Sequence, residues 1–285
     1  LGTTTPESRL QVVGNITNVA SSRFNPVLTG SATTMPTASG VSVSGRYAYV
    51  VGGANTFQIF DVSTSSPALV ASTTVGNTPT ELFVSGKYAY VVNNTGNSLN
   101  ILDISNPSNP TIVASSTTGA GPTSVYVSGR YAYVSLVSTF QIFDVSNPAT
   151  PVLLGTGSGT RAYVSGKYAY ALDPHPNNGF FVSDISNPSS PVSVSNISAG
   201  GCCVSDVYVS GRYAYVARYF NFSIIDISNP ASPVLLSSPS VAGYAHDIYV
   251  SGRYAYMTEF DNATLSIFDV SNPTAPVFVG SVLSG

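Results

Sequence analysis

Apolar residues alternate with small or polar ones in short runs, and almost every run ends on glycine, proline or an Asn/Ser cluster. Alternation with period two over such lengths predicts β-strands, and helical 3.6-residue periodicity is almost wholly lacking. Residues 124–155 illustrate the pattern. Ser124-Val125-Tyr126-Val127, Tyr131-Ala132-Tyr133-Val134, Phe140-Gln141-Ile142-Phe143 and the apolar run after Pro151 read as four strands, a to d. Ser128-Gly129 between the first two predicts a two-residue hairpin turn, where glycine accepts a positive φ. Both faces of these strands carry large side chains, so both must be covered. The alanine between two tyrosines leaves room for a neighbouring sheet.

The unit repeats. Ser-Gly-Arg/Lys-Tyr-Ala-Tyr occurs six times, with its glycine at positions 45, 86, 129, 166, 211 and 252. Each copy is followed by Asp-Val/Ile-Ser, with aspartates at 61, 103, 144, 184, 226 and 269, and then by the apolar run of strand d. Four short strands every ~40 residues is the spacing of a propeller blade. One blade cannot bury both of its faces, whereas six in a ring can. The expected fold class is therefore all-β: a six-bladed β-propeller of four-stranded antiparallel blades over residues 25–285, preceded by an N-terminal strand extension over residues 1–24.

These units resemble the LVIVD-repeat family of bacterial and archaeal β-propellers. The likeness rests on residues 125–134, 142–148 and 151–155, and it recurs over about residues 25–285. It implies the propeller fold and a secreted or cell-surface location. It implies no shared reaction and carries over no catalytic residues.

Composition narrows the function classes. Of 285 residues only 8% are charged and 43% are hydrophobic, with 18 tyrosines, which excludes a disordered chain. A net charge of −3 excludes a generally basic nucleic-acid binder. No apolar run is long enough to span a bilayer, so no membrane insertion is expected. The chain starts on Leu1 and reads as a processed product exported from a prokaryotic cell. Cys202 and Cys203 are the only cysteines. They are read as a vicinal disulfide, two thiols or a bridge between chains.

The N-terminus holds a surplus. Asn25-Pro26-Val27-Leu28-Thr29-Gly30-Ser31 matches strand d, so seven d-type strands accompany six a–b–c sets. One of the terminal d strands is expected to close the ring, leaving the other spare. Upstream, residues 9–17 read as a further strand, and residues 2–6 with it resemble the leader of tail-fibre-like surface proteins. Leu10, Val12, Val13, Ile16, Val27 and Leu28 are therefore candidates for joining subunits by strand addition to an exposed edge.

The charges fall into two groups. The six Arg/Lys of the hairpins and the six repeat aspartates share one face and are read as scaffold, each Asp capping its Ser-Asn-Pro turn. The other face, formed by the d–a and b–c connections, carries irregular residues. Five positions before each turn glycine stand Gly40, Glu81, Ser124, Arg161, Asp206 and Asp247, a ring at the channel mouth. Asp173, His175, Arg218, Tyr219, Glu259 and Asp261 come from b–c loops, and Tyr244 and His246 from a d–a loop. Variable polar residues on one propeller face are the expected binding surface.

Chemistry on that face is sparse. No Gly-x-Ser-x-Gly elbow exists. His246 and Asp247 are strand neighbours, which places them on opposite faces. Asp173, Asp206 and Asp261 would suit calcium, and no other cofactor is expected. Twelve tyrosines belong to Tyr-Ala-Tyr and four more share one strand-a position, so sixteen are read as framework; Tyr219, Phe220, Phe222, Tyr244 and Phe260 remain for stacking on sugars. The leading expectation is a non-enzymatic structural or adhesive protein of the cell exterior that associates with itself. The alternatives are a binding module for a cation, peptide or glycan, and a hydrolase on the acidic face.

Overall fold

The computed structural model describes residues 37–173, 179–200 and 203–283, together with Ala32 and Met35. Its strands group into six sheets of four, each contiguous in sequence and in simple antiparallel order. The first comprises β1 (Ala38–Ser44), β2 (Tyr47–Gly52), β3 (Thr56–Asp61) and β4 (Ala68–Thr74), and the second β5 (Pro79–Ser85), β6 (Tyr88–Asn93), β7 (Ser98–Asp103) and β8 (Thr111–Thr117). The third runs β9 (Ser124–Ser128), β10 (Tyr131–Ser135), β11 (Thr139–Asp144), β12 (Val152–Ser158), and the fourth β13 (Thr160–Ser165), β14 (Tyr168–Asp173), β15 (Gly179–Asp184), β16 (Val192–Ser198). The fifth is β17 (Val204–Ser210), β18 (Tyr213–Arg218), β19 (Asn221–Asp226), β20 (Val234–Ser237), and the sixth β21 (Ala245–Ser251), β22 (Tyr254–Glu259), β23 (Thr264–Asp269), β24 (Val277–Leu283). A single 3-10 turn at Gly53–Asn55 is the only helical element among the described residues. The protein is thus a six-bladed propeller, as the repeat predicts.

First strands of successive blades pack on one another around the axis. Five clusters of buried side chains straddle the five junctions between consecutive blades. Between blades two and three, Tyr90, Val92, Leu99 and Ile101 meet Val125, Val127, Ala132 and Val134. The middle alanine of Tyr-Ala-Tyr is fully buried there, which is why no larger residue stands between the rings.

One sequence expectation is corrected. Pairing of Ser128 with Tyr131 makes Gly129-Arg130 the two-residue loop, one residue later than expected. Gly129 has φ +58° while Arg130 does not share a positive φ, the pattern of a type II′ turn. Of the two terminal d strands, the C-terminal one stands in the sixth blade. Each blade uses its own fourth strand, so β24 completes the sixth blade, and the ribbon 25–31 lies outside the described residues. Among the described residues no junction cluster joins the sixth blade to the first.

The hairpin face behaves as scaffold. In every blade the repeat aspartate accepts the backbone N–H of the serine two residues on. Its other oxygen pairs with the hairpin Arg or Lys, as in Lys167–Asp184 at 3.1 Å. Each cation also lies over the ring of the tyrosine that follows it. These contacts hold all six carboxyls below the usual carboxylate range.

Candidate functional site

The channel-mouth positions owe their direction to a local irregularity. The first strand pairs with the second through a register shift at Ala38/Gly40, Pro79/Glu81, Thr160/Tyr163, Val204/Asp206 and Ala245/Ile248. A bulge adds one residue on one side of a ladder and re-aims its side chain. Beyond the bulge alternation resumes. Leu82 and its counterparts enter the blade junction, while Glu81, Phe83 and theirs face the channel.

Two layers of channel side chains result. In the upper one Arg161 Nη1 donates to Glu81 Oε2 at 3.2 Å, tying blade four to blade two across the axis. Asp206 Oδ2 accepts the N–H of Ile248 at 3.1 Å, linking blades five and six. Arg161 itself holds φ +51°, a left-handed conformation that a long side chain adopts at a cost. Below this layer, Phe83, Tyr126, Tyr163, Tyr208 and Tyr249 form a continuous run of rings, with centroids 5.1, 4.6, 5.1 and 4.9 Å apart. The rings, with Glu81, Arg161 and Asp206, line a cavity of about 400 Å³.

The low-dielectric setting perturbs these groups. Burial, with the nearby Asp206 and Asp247 charges, pushes Glu81 up to about 8 against the opposing pull of Arg161. Burial and the Asp247 charge push Asp206 up to about 7. For Arg161 desolvation works against the cation, but Glu81, Asp206 and Asp247 outweigh it and the net direction is upward. The site therefore combines a fixed cation with two carboxyls whose protonated forms burial favours.

The His246–Asp247 expectation is overturned. Their side chains meet, with Nδ1 3.3 Å from Oδ2, because the bulge between Ala245 and Ile248 breaks strict alternation. The Asp247 carboxylate raises the His246 pKa against partial burial. Four tyrosines read as framework also change role: Tyr126, Tyr163, Tyr208 and Tyr249 are channel wall. Their shared strand-a position was visible in the sequence, but the direction they face was not.

Other expected site residues do not join. Arg218 is buried and donates to Ala199 O at 2.6 Å, Ser223 Oγ at 2.9 Å and Asn221 Oδ1 at 2.7 Å, holding the loop that enters blade five. Glu259 is likewise buried and accepts from Asn262 Nδ2 at 2.8 Å and from Ser266. Both end a second strand, so they turn inward under the loops instead of outward. Asp261 accepts the Tyr244 N–H at 2.6 Å. Tyr219 packs on Tyr244, with centroids 4.1 Å apart, beside the exposed Phe220 and Phe260, while Phe222 is core. Asp173 closes β14. Asp173, Asp206 and Asp261 do not converge, and no group of three metal-ligating side chains forms among the described residues. His175, Cys202, Leu10, Val12, Val13, Ile16, Val27 and Leu28 lie outside the described residues, so the vicinal-disulfide and strand-donor expectations fall there too.

Comparison with known proteins places this geometry in a wide field. A periplasmic gluconolactonase of Pseudomonas aeruginosa is similar at 16% identity, TM-score 0.76, over 94% of this chain and 91% of that one. A protein of Bacteroides uniformis provisionally named a 6-phosphogluconolactonase is similar at 14% identity, TM-score 0.76, over 89% and 87%. Hydrazine synthase of Kuenenia stuttgartiensis is similar at 17% identity, TM-score 0.68, over 83% and 78%. At such identities the likeness is one of fold. It still corrects the expectation of a non-enzymatic protein, since structures of this fold carry enzyme names. No curated protein sequence matches. The LVIVD repeat profile matches residues 37–75, 79–118, 122–158, 156–198, 201–240 and 242–284, one per blade, and the chain belongs to the LVIVD repeat family.

Proposed function

We propose that the protein binds a polyhydroxylated, sugar-like ligand in the channel mouth. The observation that carries this reading is the run of five aromatic rings beneath Glu81, Arg161 and Asp206 in one cavity. Ring faces suit the C–H faces of a sugar. Carboxyls and a guanidinium suit hydroxyls and an acidic group, and Glu81 in its neutral form both donates and accepts. The names of the gluconolactonase-like neighbours point to the same ligand class.

A second reading, hydrolysis of a sugar lactone, is favoured by the His246–Asp247 contact beside that cavity. Asp247 orients the imidazole, which takes a proton from water as the hydroxide attacks the carbonyl carbon. The ring C–O bond then breaks and its oxygen takes the proton back. The filament or adhesive role rests on residues outside those described.

Isothermal titration of the full chain against gluconate, gluconolactone and neutral oligosaccharides tests both readings. At least one should bind saturably, and Tyr163→Ala or Arg161→Gln should weaken it about tenfold or more. No binding across the set, or binding that neither substitution weakens, overturns the proposal. Lactone turnover that falls on His246→Ala supports the second reading; its absence in the parent chain rejects it.

A further inference from the structure

We propose that residues 9–31 of this chain fill the space between the sixth and first blades, as the third and fourth strands of a seventh sheet. The described blades leave both walls of that space partly bare, although Val50 and Phe60 on one wall and Ile267 on the other are buried. Val41 and Val43 of β1 are 66% and 65% exposed. The counterparts of Val41 in the five other blades are buried against the preceding blade, as Leu82, Val125, Ala162, Val207 and Ile248 show at 3 to 5%. On the opposite wall Tyr256 and Leu265 are half-buried and Thr258 is exposed, where the corresponding residues of every other blade are buried. Isolated exposed apolar residues need no explanation, but two facing apolar walls do.

The chain's own spacing names the occupant. In each blade the outer strand leads directly into the inner strand of the next. The proline that opens the fourth-strand run stands 19 residues before the next turn glycine at Pro67, Pro110 and Pro233, and Pro26 stands 19 before Gly45. On that spacing residues 25–31 would take the outer position of a sheet preceding β1, which is the open space. Met35, a described residue just past that ribbon, already packs on Val50 and Phe60 of the same wall.

The upstream run fits the third-strand pattern. Leu10-Gln11-Val12-Val13 parallels Phe140-Gln141-Ile142-Phe143. In that blade Phe140 and Ile142 face the following blade and Phe143 the preceding one. By the same alternation Leu10 and Val12 would meet Val41 and Val43, and Val13 would meet Tyr256 and Leu265. The walls are uncharged and, Thr258 apart, built of carbon-rich side chains, and this segment's inward set is apolar. The inference is independent of what the channel binds.

The test is a cross-link in the full chain. With Cys202→Ser and Cys203→Ser removing the native thiols, Val12→Cys and Val43→Cys are joined by a short bis-maleimide and the product is mapped by peptide mass spectrometry. The expected result is a 12–43 link within one monomer. Alongside, single Val43→Cys should react with a monofunctional maleimide about tenfold more slowly in the full chain than in one lacking residues 1–31, with both chains showing the same β-sheet circular dichroism. A link joining two chains would assign the space to a second copy and overturn the proposal. So would equal labelling rates in the two chains.

Discussion

Glu81 concentrates the chemistry of the molecule in one carboxyl. Its folded pKa, pushed to about 8 by burial, stands above an ordinary value of about 4.3. A raised folded value means the native state holds the proton more tightly than the unfolded chain. The associated stability is full below pH ~4 and is lost as pH rises through about 8. Thermal melts from pH 5 to 9 should therefore show a declining Tm, and Glu81→Gln should flatten that decline. A parent profile as flat as that of the variant would show that the carboxyl ionises freely. Ring positions before each turn glycine were legible because the motif repeats. That Tyr163 faces the channel and not the core was not, because a single residue's type is the same on either side of a strand.

Elements show what local chemistry settles. Gly129 stands at φ +58° with open space where a Cβ would be, so Gly129→Ala costs only the left-handed backbone penalty, about 1–2 kcal/mol. Gly157 lies in β12 where a Cβ would run into the fully buried Phe140 ring, so Gly157→Ala costs about 3 kcal/mol through overpacking. Urea melts check both, and Phe140→Leu should relieve the second cost and leave the first unchanged. The turn glycine was readable and misplaced by one residue in the loop, since only the Ser128–Tyr131 pairing sets the register. The bulges were not readable. An extra residue in a strand is defined by its partner strand, and His246 with Asp247 came together for that reason.

Across the whole molecule the two charge systems work in opposite directions. Six repeat aspartates have depressed values, so their contribution is present above about pH 4 and lost as pH falls below it. Glu81 and Asp206 act in the reverse sense towards alkaline pH. Stability should pass through a maximum near pH ~5. The acid limb should remain in the Glu81→Gln variant; melts of both chains from pH 2 to 9 check this, and loss of the acid limb in the variant would contradict the assignment.

Strand, hairpin and blade could be read without coordinates, because they follow from alternation, turn sterics and a motif repeated every ~40 residues. The channel site could not. Glu81 and Arg161 lie 80 residues apart and meet only when blades two and four stand across one axis. Nor could it be foreseen that no junction cluster joins the sixth blade to the first among the described residues, since the angle between neighbouring blades is set by side-chain packing at each junction and its sum around the axis appears in no local stretch of chain.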